Sequence, residues 1–273
     1  MKIVNLQELI FDAQKRKIAI PQFNINNLEW TRCILSTCAE AGSPVVLGVT
    51  SSAVQHMGGY HTVSGMVNGL IYDLRVDVPV VLHLDHARTF SACEEALYAG
   101  FTSLMVSTDH YDKISEKINF VNEVSKLRKN FDITIESELG SFDNDTKIDI
   151  ESCIKFTSET DIDLFAPAVG SMHGMKRNFI DFDFLKSLND IISVPLVLHG
   201  GSALSDSIIR ESICLGCRKI NINTENMVIW AKAVRKYLLK NPEAYNPRKI
   251  INSGFEDMKK NVSHRISIIY GKE

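Results

Sequence analysis

The sequence predicts an α/β fold closed as a (β/α)8 TIM barrel. Three observations carry that expectation: eight short apolar runs, amphipathic stretches between them, and polar residues within a few positions past every run. The runs are Ile18–Phe23, Pro44–Val49, Pro79–Leu84, Ser103–Val106, Ile133–Ile135, Leu164–Ala168, Pro195–Leu198 and Lys219–Ile222. Most are rich in Val, Ile and Leu with little alternation, as parallel strands covered on both faces require. Trp30–Ala41, Ser91–Ala99, Ile114–Lys126, Asp206–Leu215 and Thr224–Leu239 carry helical spacing, and Gly100 and Gly216 stand where helix C-caps belong. Strand and helix in alternation describe a closed barrel. An open doubly wound sheet is disfavoured, because no G-x-G-x-x-G follows the first strand.

The chain has 273 residues, 45% of them hydrophobic and 23% charged, which suits one such barrel. A chain of this length buries a core without staples, so a bound metal would serve chemistry rather than folding. No linker rich in Pro, Gly or Ser interrupts it, and residues 1–273 read as one domain. The N-terminal segment reads as an amphipathic helix rather than a signal peptide. Apolar residues at Ile250, Ile251, Phe255, Met258, Val262, Ile266 and Ile269 predict one C-terminal helix over about 247–270, lying on the barrel. Gly140–Asp149 is polar and acidic and reads as a surface loop. A formal net charge of −3, with no Lys/Arg block, argues against a nucleic-acid partner. No apolar run approaches the ~20 residues of a membrane span, and a cytoplasmic protein is expected. The six scattered cysteines suit reduced core thiols, and Cys214-x-x-Cys217 reads as two small buried residues flanking a turn.

In such a barrel, chemistry sits at the C-terminal ends of the strands. The residues there are Asn24, Thr50, His83-Leu-Asp85-His86, Ser107, Glu136 with Glu138, Gly170-Ser-Met-His173-Gly174, His199-Gly200-Gly201-Ser202 and Asn221-Ile-Asn223-Thr224. His86, His173 and His199 stand at the same end of three strands. Buried unpaired imidazoles cost free energy, whereas zinc takes three neutral imidazoles and keeps one position open. These three histidines are therefore read as the ligands of one Zn2+. Alternation places His83 with Asp85 inside the barrel, and His86, just beyond the strand, turns over the mouth. Gly200-Gly201-Ser202 and Asn223-Thr224 offer backbone donors at the starts of two helices, the usual phosphate site of these barrels.

With these residues assembled, the chain resembles the class II, metal-dependent ketose-bisphosphate aldolases, which act on fructose or tagatose bisphosphate. The likeness runs through Ile20-Pro-Gln-Phe-Asn-Ile25, Ser43-Pro-Val-Val-Leu-Gly48, Met57-Gly-Gly59, His83-Leu-Asp-His86, Ala99-Gly-Phe-Thr-Ser103 and Glu136-Ser-Glu-Leu-Gly140. It continues through Gly170-Ser-Met-His-Gly174, Pro195-Leu-Val-Leu-His-Gly-Gly-Ser202, Lys219-Ile-Asn-Ile-Asn-Thr-Glu225 and Lys240-Asn-Pro-Glu-Ala-Tyr-Asn-Pro-Arg-Lys249. The resemblance implies His86, His173 and His199 as zinc ligands, Glu138 at a second metal position, and Asp85 as the group exchanging a proton with the substrate hydroxyl at the bond that breaks. It implies that Gly174, Gly200, Ser202, Asn223 and Thr224 hold a phosphate, that Asn221 meets the substrate backbone, and that Asn24 and Thr50 meet its other end. A sugar-phosphate substrate, a dihydroxyacetone-phosphate enediolate, a monovalent cation beside the phosphate, and a homodimer or homotetramer are implied with it.

The sequence departs from that family at three places. The loop motif Gly-Gly-x-Glu-Asp, whose acid removes the proton from the phosphate-bearing fragment, is replaced by Ser141-Phe-Asp-Asn-Asp-Thr-Lys147, which leaves Asp143, Asp145 and Asp109 as candidate replacement acids. The family's Asp at the end of the fourth strand is Ser107, and Asp109 compensates only if the loop bends. The Tyr-Lys-Gly segment is shortened to Met175-Lys-Arg-Asn178, with Lys176 and Arg177 as replacements for a phosphate-binding Lys; Ala203 also replaces a turn Gly. Two readings follow: an aldolase with an atypical sugar-phosphate substrate, and a silent homologue that binds metal or phosphate in a regulatory role.

Overall fold

The computed structural model describes residues 3–140, 148–171, 174, 179–202 and 204–271. Eight parallel strands close into a barrel in chain order: β1 (Ile20–Asn24), β2 (Val45–Thr50), β3 (Val80–Ala87), β4 (Ser103–Val106), β5 (Thr134–Leu139), β6 (Leu164–Pro167), β7 (Leu196–Leu198) and β8 (Cys217–Ile222). Each falls on one of the eight apolar runs. Closure is made between β8 and β1, where Ile20 registers with Lys219 and Phe23 with Ile222. This is a (β/α)8 TIM barrel.

The helices begin where the sequence supplies a cap. Asn27, Thr89, Asp149, Asp181 and Ser205 each accept a hydrogen bond from the backbone N–H three residues on, a contact worth about 1 kcal/mol per helix. They start α2 (Leu28–Ala41), α5 (Phe90–Tyr98), α7 (Ile150–Glu159), α8 (Phe182–Ile191) and α9 (Asp206–Cys214). The outer layer also holds α3 (Ser51–His56), α4 (Tyr60–Asp73), α6 (Ile114–Ser125) and α10 (Thr224–Lys240), and α1 (Gln7–Arg16) precedes the first strand. Among the described residues no helix is long and apolar enough to cross a membrane.

Three elements differ from expectation. The C-terminal stretch is two helices rather than one, α11 (Pro247–Asn252) and α12 (Phe255–Ile269). The break is at Gly254, where a Cβ would meet the Trp230 ring at 2.6 Å. Beyond it α12 buries Met258, Val262, Ile266 and Ile269, and ties Arg265 to Glu225 of α10 at 2.6 Å. Second, β5 continues past Ile135 through Leu139, because its polar side chains find partners inside the barrel. Third, Cys214 ends α9 exposed while Cys217 opens β8 buried, so only one of that pair is a core thiol; burial pushes the Cys217 thiol up to about 12.

The interior is polar. Gln22 and Asn24, His83 and Asp85, Glu136 and Glu138, and Lys219 and Asn221 are pairs two residues apart, so each pair shares a face of its strand. Asn24 of β1 reaches Asp85 of β3 at 2.7 Å, and Lys219 of β8 reaches Glu136 of β5 at 2.7 Å. Neither pair of strands is adjacent, so these bonds cross the barrel.

Candidate active site

The mouth of the barrel holds a cavity of ≈ 320 Å³. Its walls include Asn24, Thr50, Asp85, His86, Asp109 and Glu138 on one side, and Gly174, His199, Gly200, Ser202, Asn221, Asn223 and Thr224 on the other. Residues far apart in sequence thus converge as strand-end reasoning expected.

A bulge makes the first part of the site. Strict alternation would point Asp85 and His86 to opposite faces of β3. The register between β3 and β4 shifts between Leu84 and Ala87, and His86 has a left-handed backbone with φ of 56°. Both side chains therefore reach the cavity. His86 lies within the last residues of β3, not past its end as expected. Such a conformation costs a non-glycine residue on the order of 1–3 kcal/mol and is retained where the surroundings enforce it.

His86, Glu138 and His199 each offer one ligand atom within 4.8 Å of the others. Glu138 Oε1 lies 3.8 Å from His86 Nδ1, and Oε2 lies 3.9 Å from His199 Nδ1. Atoms bound to one zinc at about 2.1 Å sit roughly 3–4 Å apart. Two imidazoles and a carboxylate are a donor set for a divalent transition metal. Glu138 Oε1 accepts from Ser107 Oγ at 2.6 Å, while its Oε2 is buried and has no hydrogen-bond partner among the described residues. The residues present fit such an ion. Glu138, expected at a separate second position, belongs to the same group as His86 and His199. His173 lies outside the described residues.

Asp85 is 5% exposed. Burial alone would raise its pKa, but His86, His83 and the hydrogen bond from Asn24 outweigh that and hold the carboxyl down at about 2. Asn24 Nδ2 donates to Oδ2, and Oδ1 has no hydrogen-bond partner among the described residues. Asn24, expected at the far end of the substrate, is therefore also the group that orients Asp85. Below it, burial and Lys219 depress His83 to about 3, and its Nδ1 pairs with Ser103 Oγ at 2.8 Å.

Ser107 Oγ lies 3.0 Å from Asp109 Oδ1 as well as 2.6 Å from Glu138 Oε1. A hydroxyl has one proton, so it serves one carboxylate at a time. Arg88 Nη2 pairs with Asp109 Oδ2. Burial works to raise the Asp109 pKa, but Ser107 and Arg88 prevail and lower it. That makes it a weak proton acceptor, held at the rim outside the His86–Glu138–His199 group. Asp143, Asp145, Lys176, Arg177 and Ala203 lie outside the described residues.

On the opposite wall, Ser202 Oγ accepts from the backbone N–H groups of Asn223 and Glu225, at 3.1 and 3.3 Å, and so joins the end of β7 to the start of α10. The 17-residue α10 turns its positive end toward the cavity at Asn223 and Thr224. Thr50 both lines the cavity and caps α3 by accepting from Ala53 N. Gly201 departs from expectation. Its N–H donates to Asn221 O at 3.0 Å, and a Cβ there would meet that oxygen at 2.8 Å. Gly201 closes β7 onto β8, and its amide is not offered to an anion.

The sequence reading did not single out Arg88 or Lys219. Arg88 carried no signal. Lys219 did, as a lysine opening the run Lys219-Ile-Asn-Ile222 at a position that parallel-sheet geometry buries.

A closed parallel barrel with this constellation at its mouth is a TIM-barrel enzyme. The chain matches the family described as fructose-bisphosphate aldolase class-II over residues 4–273. It belongs to that family, and an aldolase, a carbon–carbon lyase, is the activity that the family supports. The fructose-bisphosphate aldolase of Geobacillus stearothermophilus is 39% identical, covering 96% of this chain and 95% of that one. That of Staphylococcus epidermidis is 36% identical, covering 97% and 96%. Among solved structures, the YdjI aldolase of Escherichia coli K12 superposes with a TM-score of 0.85 at 27% identity, covering 99% of this chain and 98% of that chain. The fructose-bisphosphate aldolase of Campylobacter jejuni shares the fold, with a TM-score of 0.84 at 20% identity and coverage of 100% and 97%.

Proposed function

We propose that this aldolase is metal-dependent and cleaves or forms a ketose phosphate or bisphosphate, with Asp85 as its proton-transfer group. The observation that carries this reading is the convergence of His86, His199 and Glu138 beside an ionised Asp85, facing the positive end of α10 in one cavity. We assign His173 as a further ligand and Zn2+ as the ion. A divalent ion held there supplies Lewis acidity to the substrate's carbonyl.

The chain's own residues do the rest. Ser202, Asn223 and Thr224, with Gly174 and Gly200, hold the phosphate and orient the fragment. Asn223 Oδ1, buried and without a hydrogen-bond partner among the described residues, is an acceptor suited to a monovalent cation beside that phosphate. Asp85 takes the proton from the hydroxyl on the carbon whose C–C bond breaks, and returns it in the condensation direction. The electron pair of that bond stays on the dihydroxyacetone-phosphate fragment as its enediolate. Asp143 and Asp145 are the candidates for the proton exchange that follows. A homodimer or homotetramer in the cytoplasm completes the proposal.

Zinc-loaded protein assayed on a panel of phosphorylated ketoses is expected to cleave at least one. Asp85→Ala should lose about 10²–10⁴ of that rate while keeping its circular-dichroism spectrum. Cleavage that survives Asp85→Ala removes Asp85 from the mechanism. No cleavage of any ketose phosphate, together with no solvent exchange of a C–H proton of dihydroxyacetone phosphate, leaves the silent homologue as the reading.

A further inference from the structure

Beneath the cavity, Lys219 and Glu136 face each other across the barrel, both fully buried. Lys219 Nζ donates to Glu136 Oε2 at 2.7 Å and to Asn221 Oδ1 at 2.9 Å, and Glu136 Oε1 meets His199 Nε2 at 2.8 Å. The polarity of this chain is set by Lys219, because an ammonium only donates. The Asn221 atom facing it must be the oxygen, so the Asn221 amide NH2 is the group left for the cavity that this residue lines. A carboxylate only accepts, so the His199 nitrogen facing Glu136 must carry the proton. The other nitrogen, Nδ1, is then the one directed at the group containing His86 and Glu138, 3.9 Å from Glu138 Oε2. Lys219 and Glu136 are themselves set apart from the cavity walls.

We infer that Lys219 is a positioning residue for both halves of the site. Through Glu136 it fixes which His199 nitrogen faces the proposed metal, and directly it fixes Asn221 as a donor toward the substrate. Outer carboxylates that hold a ligating imidazole in one tautomer are a general device of metal sites. Here one buried cation serves that carboxylate and a substrate-facing amide together. The inference rests on the proposed metal site for its consequence, but its geometry is tested without metal and without turnover.

Two variants test it, Lys219→Met and the near-isosteric Glu136→Gln, in the full chain. In metal-free protein, ring ¹⁵N shifts of His199 are expected to report a single Nε2–H tautomer in the wild type and a mixture in either variant. Zinc affinity, measured by competition with a chromogenic chelator, is expected to fall about 10–100-fold. With zinc saturating, KM for a ketose phosphate should rise more in Lys219→Met than in Glu136→Gln, since only the former frees Asn221. An unchanged His199 tautomer and a zinc affinity within threefold of wild type, in either folded variant, overturn the inference. Glu136→Gln decides the matter if Lys219→Met does not fold. Inactive protein with the expected tautomer change would sink the aldolase reading and leave the positioning role standing.

Discussion

The barrel interior has two polar layers that share strands and differ in how well their charges are matched. In the deeper layer, Glu136 has Lys219 on one oxygen and His199 on the other, and His83 has Ser103 on Nδ1, while the neutral His83 Nε2 and Gln22 Oε1 have no hydrogen-bond partner among the described residues. In the upper layer, two residues further along the same strands, Glu138 Oε2 and Asp85 Oδ1 are buried without hydrogen-bond partners among the described residues. The deeper carboxylate is paired on both oxygens; each upper carboxylate keeps one oxygen open for a cation or a substrate hydroxyl. A buried polar atom left without a partner costs roughly 1–3 kcal/mol, so the open Glu138 oxygen is a cost that a bound cation offsets.

The sharpest way to break this comparison is to unpair the deeper layer. Lys219→Met leaves Glu136 as a buried charge, and is expected to lower stability by about 3–5 kcal/mol. Glu138→Gln removes an under-matched charge and should be neutral or stabilising in metal-free protein. Urea denaturation of both variants checks this, and equal losses would erase the distinction between the layers.

A second effect is a dependence on pH. His83 is depressed from its ordinary 6.5 to about 3 by burial and by Lys219. The unfolded chain therefore binds a proton that the folded chain refuses over that window, and stability must fall as pH drops from about 6.5 toward about 3. Replacing it by His83→Gln should flatten that part of the stability–pH curve; an unchanged slope would move the titration elsewhere. The smallest effect belongs to the rim. Arg88→Ala breaks an exposed pair with Asp109 and should cost under about 1 kcal/mol in the same denaturation experiment. A larger loss would show that the rim is part of the matched interior.

The staves of the barrel were legible because parallel strands are buried on both faces and read as continuous apolar runs. The polar strand ends were legible for the complementary reason: nothing apolar belongs at an open mouth. Reasoning on residue type alone stopped where partners decide the outcome. It ended the fifth strand at Ile135, because Glu136 and Glu138 look like loop residues until Lys219, from across the barrel, and Ser107, from the end of the neighbouring β4, are brought to them. It gave Gly201 to the phosphate, because a Gly-Gly step looks the same whether a backbone N–H faces an anion or a neighbouring strand. The single C-terminal helix was misread because its apolar spacing continues through Gly254, and the Trp230 ring that requires a glycine there comes from another helix.

The bulge in β3 has a consequence for what this segment tolerates. Ordinarily a strand sorts its residues by parity, odd to one side and even to the other. Between Leu84 and Ala87 that counting is suspended, and two sequence neighbours serve one chamber. Adding or deleting a single residue there would restore the parity and hand either the acid or the imidazole to the helical shell outside. The segment is constrained in its length as strictly as in its chemistry.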